Sequence, residues 1–441
     1  MPRRKFLSER QPLRHHAGLQ LQPSHVTGAF SFLNPTHARF RPTENLAAQG
    51  LEQMQQGAIN DVPSQEAATP QQRLNDSYPE NVEFLWRSRD NRKGRHAIQV
   101  RYKDHPAEKA RYLLPQKTAT VRSVLKGIWR MATVFPYWDI SYLVAIAFTV
   151  GSCIWVVNSF FVWFPLERPD TEFPHEIMVG GGVSALLGTT TFEIGGILMM
   201  LEAMNENTTG CFGWALERAF QEMEKEAGDI IMELKPRKDR CLHHHVKKTF
   251  FSKARRCPTD FETKSPDTNC RTFTWLPSLT ELRKQYLHEI GFIASLAQLI
   301  GATIFYISGY TGFPGIYNHL SKGLTDGIYW TPQIVGGSLF IASGFLFTIE
   351  TQKKWYIPEP GVLGWHVGFW NFIGGVGFTL CGAFGPGSHH NSGIKYQSSL
   401  CTFWGSWAFL TGSVIQWYEC LDKYPVEEKK SPKENEQNDA A

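Results

Sequence analysis

A glycine-centred phrase recurs inside apolar stretches that are too long for the core of a soluble domain. IGATIFYISG starts at Ile300, VGGSLFIASG at Val335 and IGGVGFTLCG at Ile373, and GSWAFLTG at Gly405 is a shorter echo. A bilayer core takes about 20 apolar residues per helix. Six stretches approach that length: residues 138–164, 174–193, 289–310, 331–350, 362–384 and 399–418. The expected fold is therefore all-α and polytopic, with about six transmembrane helices paired as three two-helix hairpin repeats. The second apolar run continues through IGGILMML to Leu201, so that helix can extend past Glu193.

Mean hydropathy is slightly negative, −0.27, because the chain is divided. Residues 1–117 read as a largely disordered or irregular cytoplasmic region, rich in Gln, Pro and charge up to about Pro79. One short alternating run, HAIQVRY, starts at His96. Residues 118–204 hold an interfacial segment and the first hairpin, and 205–284 a polar loop. Residues 285–420 hold the other four helices, and 421–441 a polar tail. The Arg-rich, acid-poor start also resembles a transit peptide, but Pro2, Pro12 and Pro23 and the lack of an amphipathic run oppose that reading.

Orientation follows from Lys and Arg near the helix ends. Lys117, Arg122, Lys126 and Arg130 precede the first helix, nine basic residues from Lys235 to Arg256 precede the third, and Lys353 and Lys354 follow the fourth. With six helices all fall on one side, which places both termini and the long loop in the cytoplasm. The sequon Asn207-Thr208-Thr209 then faces the cytoplasm. Trp138, Trp163, Trp330, Trp355, Trp365, Trp404 and Trp417 read as interfacial anchors. Residues 118–135 carry Val121, Val124, Leu125, Ile128 and Trp129 at helical spacing with basic residues between them. They form either a helix on the membrane surface, against anionic lipid, or the start of the first span. WALERAFQEMEKEAGDIIMELK from Trp214 reads as an amphipathic helix, and Ser278 with Glu281 as a capping box.

Helices in lipid associate by close packing, which small residues permit. Gly301, Gly309, Gly336, Gly337, Gly344, Gly374, Gly382, Gly405 and Gly412 are the expected packing positions. Charge at bilayer depth is costly, so the carboxylates are the candidate ion or proton site. Glu193, Glu350 and Glu419 are read at the inner ends of the second, fourth and sixth helices, with Glu289 at the inner start of the third. The competing reading makes them interfacial anchors paired with Arg283, Lys353 or Lys354. Asn158, Gln298, His366, Asn371 and Gln416 read as interhelical bridges. Cys241, His243, His244, His245, Cys257 and Cys270 lack CxxC spacing, so no metal or cofactor is assigned. No P-loop, dinucleotide fingerprint, HExxH or nucleophile elbow is present, and no nucleic-acid motif.

The phrases LHEIGFIASLAQLIGATIFYISGYTGFPGI from Leu287, GWHVGFWNFIGGVGFTLCGAFG from Gly364 and TFWGSWAFLTGSVIQWYECLDKYPVE from Thr402 resemble an uncharacterised family of fungal integral membrane proteins. The resemblance covers about residues 275–427. The hairpins are also faintly similar to the bacterial YrhK-like membrane domain. The resemblance implies a eukaryotic multi-pass membrane protein and transfers no functional residue. The expected role is non-enzymatic membrane organisation or scaffolding, with the lipid bilayer and a second copy of the chain as partners. The alternative is a proton- or cation-coupled small-solute transporter.

Overall fold

The computed structural model describes residues 19–42, 82–95, 97–100, 118–206, 274–423 and 425–428. The sequon, the segment from Trp214 and the Cys/His group between Cys211 and Cys270 lie outside them. Three strands and a short helix come first: β1 Leu19–Leu21, β2 His37–Pro42, β3 Val82–Arg87 and α1 Ser88–Arg92. β4 Ala97–Val100, α2 Val121–Thr133, α3 Ile140–Glu167 and α4 Gly181–Met204 follow. Then come α5 Ile290–Thr311, α6 Thr331–Glu350, α7 Leu363–Phe384, α8 Ser392–Leu421 and β5 Val426–Glu428.

The protein is a multi-pass membrane protein of apolar helices. Five helical stretches are long and apolar enough to cross a bilayer: Ile140–Glu167, Glu176–Met204, Ile290–Thr311, Lys322–Glu350 and Leu363–Phe384. α8, 30 residues long, packs beside them but is less apolar than these five. Its buried side is unusually polar, with Ser398, Thr402, Ser406, Ser413 and Gln416, which lowers its apolar content. Each helix packs on the next, and α8 packs back on α3, so the six close into a ring. The expected glycines lie at these seams. A Cβ on Gly301 would stand 3.0 Å from the Gly336 carbonyl oxygen, and one on Gly336 2.7 Å from that of Gly301. Gly309 meets Thr189, Gly337 meets Thr379, Gly344 meets Phe372 and Gly374 meets Phe409. Gly382 meets Gln333, Gly405 meets Gly374 and Gly412 meets Asn371.

The repeat becomes legible once the helix-terminal carboxylates Glu202, Glu350 and Glu419 are superposed in sequence. Gly188, Gly336 and Gly405 then coincide, as do Phe192, Phe340 and Phe409. In the first helices of the hairpins, Trp155, Phe305 and Phe378 coincide, as do Gly151, Gly301 and Gly374. The phrase shared by Phe173 and Trp330 is therefore out of register by about two turns. What does repeat is a π-helical entry, Glu176–Gly180 before α4 and Thr325–Trp330 before α6.

The ring has no open middle. Trp155, Phe305 and Phe378 form one triangle with centroids 4.8–5.8 Å apart. Phe192, Phe340 and Phe409 form a second, 5.5–6.4 Å apart. The two stack on the pseudo-threefold axis, with Phe378 5.4 Å from Phe409. Trp155 is thus core, 5% exposed.

A five-stranded sheet caps one end of the ring, in the order β1-β2-β3-β4-β5. Four of its strands lie within residues 1–117, the region expected to be largely disordered or irregular. Ala38 and Phe40 of β2 and Phe84 of β3 are buried, while Arg39 and Arg41 alternate with them and reach Glu83. β4 grows from the alternating run after His96, and β5 joins it in parallel, so strands from before and after the six helices share one sheet. The expected capping box is present, with the Ser278 and Glu281 side chains exchanging backbone bonds.

Candidate functional site

The connection between β3 and β4 is Ser-Arg-Asp-Asn-Arg-Lys-Gly-Arg, residues 88–95. One helical turn, α1, runs into Lys93, and Gly94 at φ 60° reverses the chain. The turn projects from the sheet into the adjacent end of the ring. There the three repeats each present one carboxylate at the C-terminal end of their second helix, and each receives at least one cation.

Arg92 binds Glu350 bidentately, at 2.6 and 2.8 Å. Arg89 binds Glu419 in the same way, at 3.1 and 2.6 Å. Lys93 lies 3.4 Å from Glu202, which also accepts a short bond from Ser141. Arg95 bridges Asp90 at 2.7 Å and Glu419 at 3.0 Å. Ser88 donates to Glu350 at 3.0 Å, and Asn91 to Glu206 at 2.9 Å. Four cations, Arg89, Arg92, Lys93 and Arg95, thus meet four carboxylates, Asp90, Glu202, Glu350 and Glu419, all buried. Bidentate guanidinium–carboxylate pairs are the strongest geometry for such contacts. Burial pulls the Lys93 ammonium down from its ordinary range, with Glu202 opposing. Burial acts against Arg92 too, but Glu350 outweighs it and holds the guanidinium above its usual value.

The first helices make room. Positions Ser141, Gly291 and Gly364 are equivalent in the repeat. A Cβ on Gly291 would fall 1.6 Å from the Arg92 guanidinium, and one on Gly364 2.4 Å from Arg89. Where the cation is the slimmer Lys93, the position is Ser141, whose hydroxyl helps hold Glu202. Between this lock and the aromatic triangles lies a small cavity of about 20 Å³, on the order of one or two waters. Gln298, Asn371 and Gln416 line it.

The carboxylates expected at the site divide. Glu350 and Glu419 belong to the triad. Glu193 does not: α4 runs on to Met204, so Glu193 lies mid-helix and Glu202 takes the terminal position. Glu193 is partly exposed at the seam with α5, with Oε1 3.0 Å from Thr303 Oγ1. Glu289 is buried at the N-cap of α5, at the sheet-bearing end, without a capping bond to that helix. The partners also differ from those expected, since the triad pairs with residues 89–95 while Lys353 binds Glu359. Asn158 bridges α3 to Gly181 and Ser184 on α4, whereas His366 bonds the Pro360 carbonyl.

Reading by apolar periodicity missed α1, because a charged turn between short strands carries no periodic signal. One clue was available: three helix-terminal carboxylates require cations, and residues 87–95 hold a dense basic run. Among the described residues no group of three or more His, Cys, Asp or Glu side chains could hold a metal. No protein-family model matches the chain, and no curated protein or solved structure matches it.

Proposed function

We propose that this chain is a non-enzymatic membrane-organising or scaffolding protein, with the sheet-bearing end and both tails on the cytoplasmic side. One observation carries this reading: the axis is filled by two aromatic triangles, and the carboxylates beneath them are saturated by the basic turn. A coupled transporter needs a carboxylate that can lose its partner and a route that can open. Glu350 and Glu419 each hold a bidentate guanidinium. The basic residues that flank the helices support the orientation. The resemblance to uncharacterised fungal membrane proteins adds no activity to it.

α2 supports a lipid partner at that end. Val121, Leu125, Ile128 and Trp129 are 77, 62, 53 and 69% exposed, while Arg122, Lys126 and Arg130 lie between them. α2 leans on α8 where Gly127 meets the Tyr418 ring. An apolar face held beside a transmembrane ring suits the headgroup boundary, and its cations suit anionic lipid.

The test is full-length protein in liposomes under imposed proton, sodium and potassium gradients. No flux above protein-free vesicles is expected. A flux abolished by Glu350→Gln in protein of unchanged monodispersity would replace the scaffold with the transporter.

A further inference from the structure

Glu193 is the only acidic residue that lies away from the terminal turns of the six ring helices. Every triad carboxylate has cations, and Glu193 has Thr303. Glu193 Oε1 is 3.0 Å from Thr303 Oγ1, and Glu193 Oε2 is enclosed without a hydrogen-bond partner. Around it the seam is apolar and outward-facing, with Ile194, Ile197 and Ile300 about half exposed.

The internal repeat shows that the fold does not require this pair. The positions equivalent to Glu193 are Ile341 and Leu410, and those equivalent to Thr303 are Cys153 and Val376. The same junction between successive hairpins is thus built twice without a carboxyl. Packing explains the isoleucine and the leucine and leaves the acid unexplained.

Hydrogen-bond accounting gives its chemistry. A hydroxyl has one proton, and Thr303 Oγ1 lies 2.9 Å from the Leu299 carbonyl, the usual back-bond of a helical threonine. Thr303 Oγ1 is placed to donate to Glu193 as well, so its one proton serves one acceptor at a time, and while it keeps the back-bond the contact to Glu193 takes its proton from the carboxyl. A neutral acid also suits an oxygen without a partner in hydrocarbon, where a charged one is disfavoured.

We propose that Glu193, with Thr303, is a proton-binding site that opens to the lipid at the α4–α5 seam, separate from the charge lock on the axis. The ligand is a proton, and the lipid-side opening makes the acid accessible to hydrophobic reagents and closed to aqueous ones. The site does not depend on the scaffold reading, because binding a proton at the rim opens no route through the axis.

A hydrophobic carbodiimide reads such a group directly. The carboxylic proton passes to a carbodiimide nitrogen, the carboxyl oxygen adds to the central carbon, and the adduct rearranges to an N-acylurea with nothing lost. Full-length protein in phosphatidylcholine vesicles would be treated with dicyclohexylcarbodiimide between pH 5 and 9 and mapped by peptide mass spectrometry. A water-soluble carbodiimide would be run in parallel. The expected result is an adduct at Glu193 that increases as pH falls, with at least tenfold less from the water-soluble reagent. Glu193→Ile, which installs the residue of the second repeat, is expected to keep the unfolding temperature and lose the adduct. No adduct at Glu193 at pH 5 in folded protein would overturn the proposal, as would equal modification by both reagents. Proton flux in the liposome assay would refute the scaffold and leave this result to stand or fall separately.

Discussion

Glu350 and Glu193 are the same residue type on equivalent second helices, yet their surroundings give them opposite energetic roles. Glu350 neutralises a buried guanidinium, so removing it strands Arg92 at 3% exposure. Breaking one side of a buried pair costs about 3–5 kcal/mol. We predict that Glu350→Ala loses about that much in chemical unfolding in detergent, while Glu193→Ile stays within about 0.5 kcal/mol. Equal losses would contradict the lock. A second residue-scale effect lies in the sheet. Desolvation, Arg87 and Lys353 lower His37 from 6.5 to about 3. Between those values the unfolded chain binds more protons than the folded one, so stability is full above about pH 6.5 and falls as pH drops toward 3. The slope is at most about 1.4 kcal/mol per pH unit. His37→Gln should flatten that part of the stability profile, and an unchanged slope would show that another group carries it.

At the scale of the elements, the ring depends on backbones that nearly touch. Gly301 and Gly336 face each other across α5 and α6, and an added methyl at Gly336 would lie 2.7 Å from a carbonyl oxygen. Gly336→Ala should cost about 1–3 kcal/mol by overpacking. Gly361→Ala, with nothing within 4 Å of its Cβ, is the matched control. If both variants unfold alike, the seam is looser than its geometry. α2 makes a positional prediction. Single cysteines at Leu125 and Trp129, labelled with an environment-sensitive dye, should emit as in lipid, and those at Arg122 and Lys126 as in water. Four aqueous spectra would remove α2 from the membrane surface.

At the scale of the whole molecule, the sheet, the basic turn and the ring form one continuous structure. β5 ties the end of α8 to β4, Arg87 reaches Glu427 at 2.7 Å, and Lys423 bonds the Lys93 carbonyl at 2.8 Å. Deleting residues 424–441 removes β5 and should expose residues 82–100 to trypsin while the ring stays folded. A digestion pattern unchanged in that segment would mean that the lock holds the sheet without the tail.

Much of this architecture is written locally. Long apolar runs specify spanning helices because lipid leaves the backbone no other partner, and small residues at helical spacing specify seams. The ring helices, the packing glycines and two triad members, Glu350 and Glu419, were legible for that reason. Other features required the third dimension. Glu202 replaced Glu193 because a helix end inside an apolar run has no sharp sequence signal, and two more turns changed which carboxylate reached the axis. The place of Trp155 in the core came from three hairpins converging on one axis. The basic turn lay unremarked in the region read as largely irregular, since its partners lie 109 to 330 residues away in the chain. Sequence alone determined that this protein lives in a membrane and that its helices pack closely. Only the tertiary structure decided that its axial carboxylates pair with a basic turn, because ion pairing depends on which distant residues folding brings within about 3 Å.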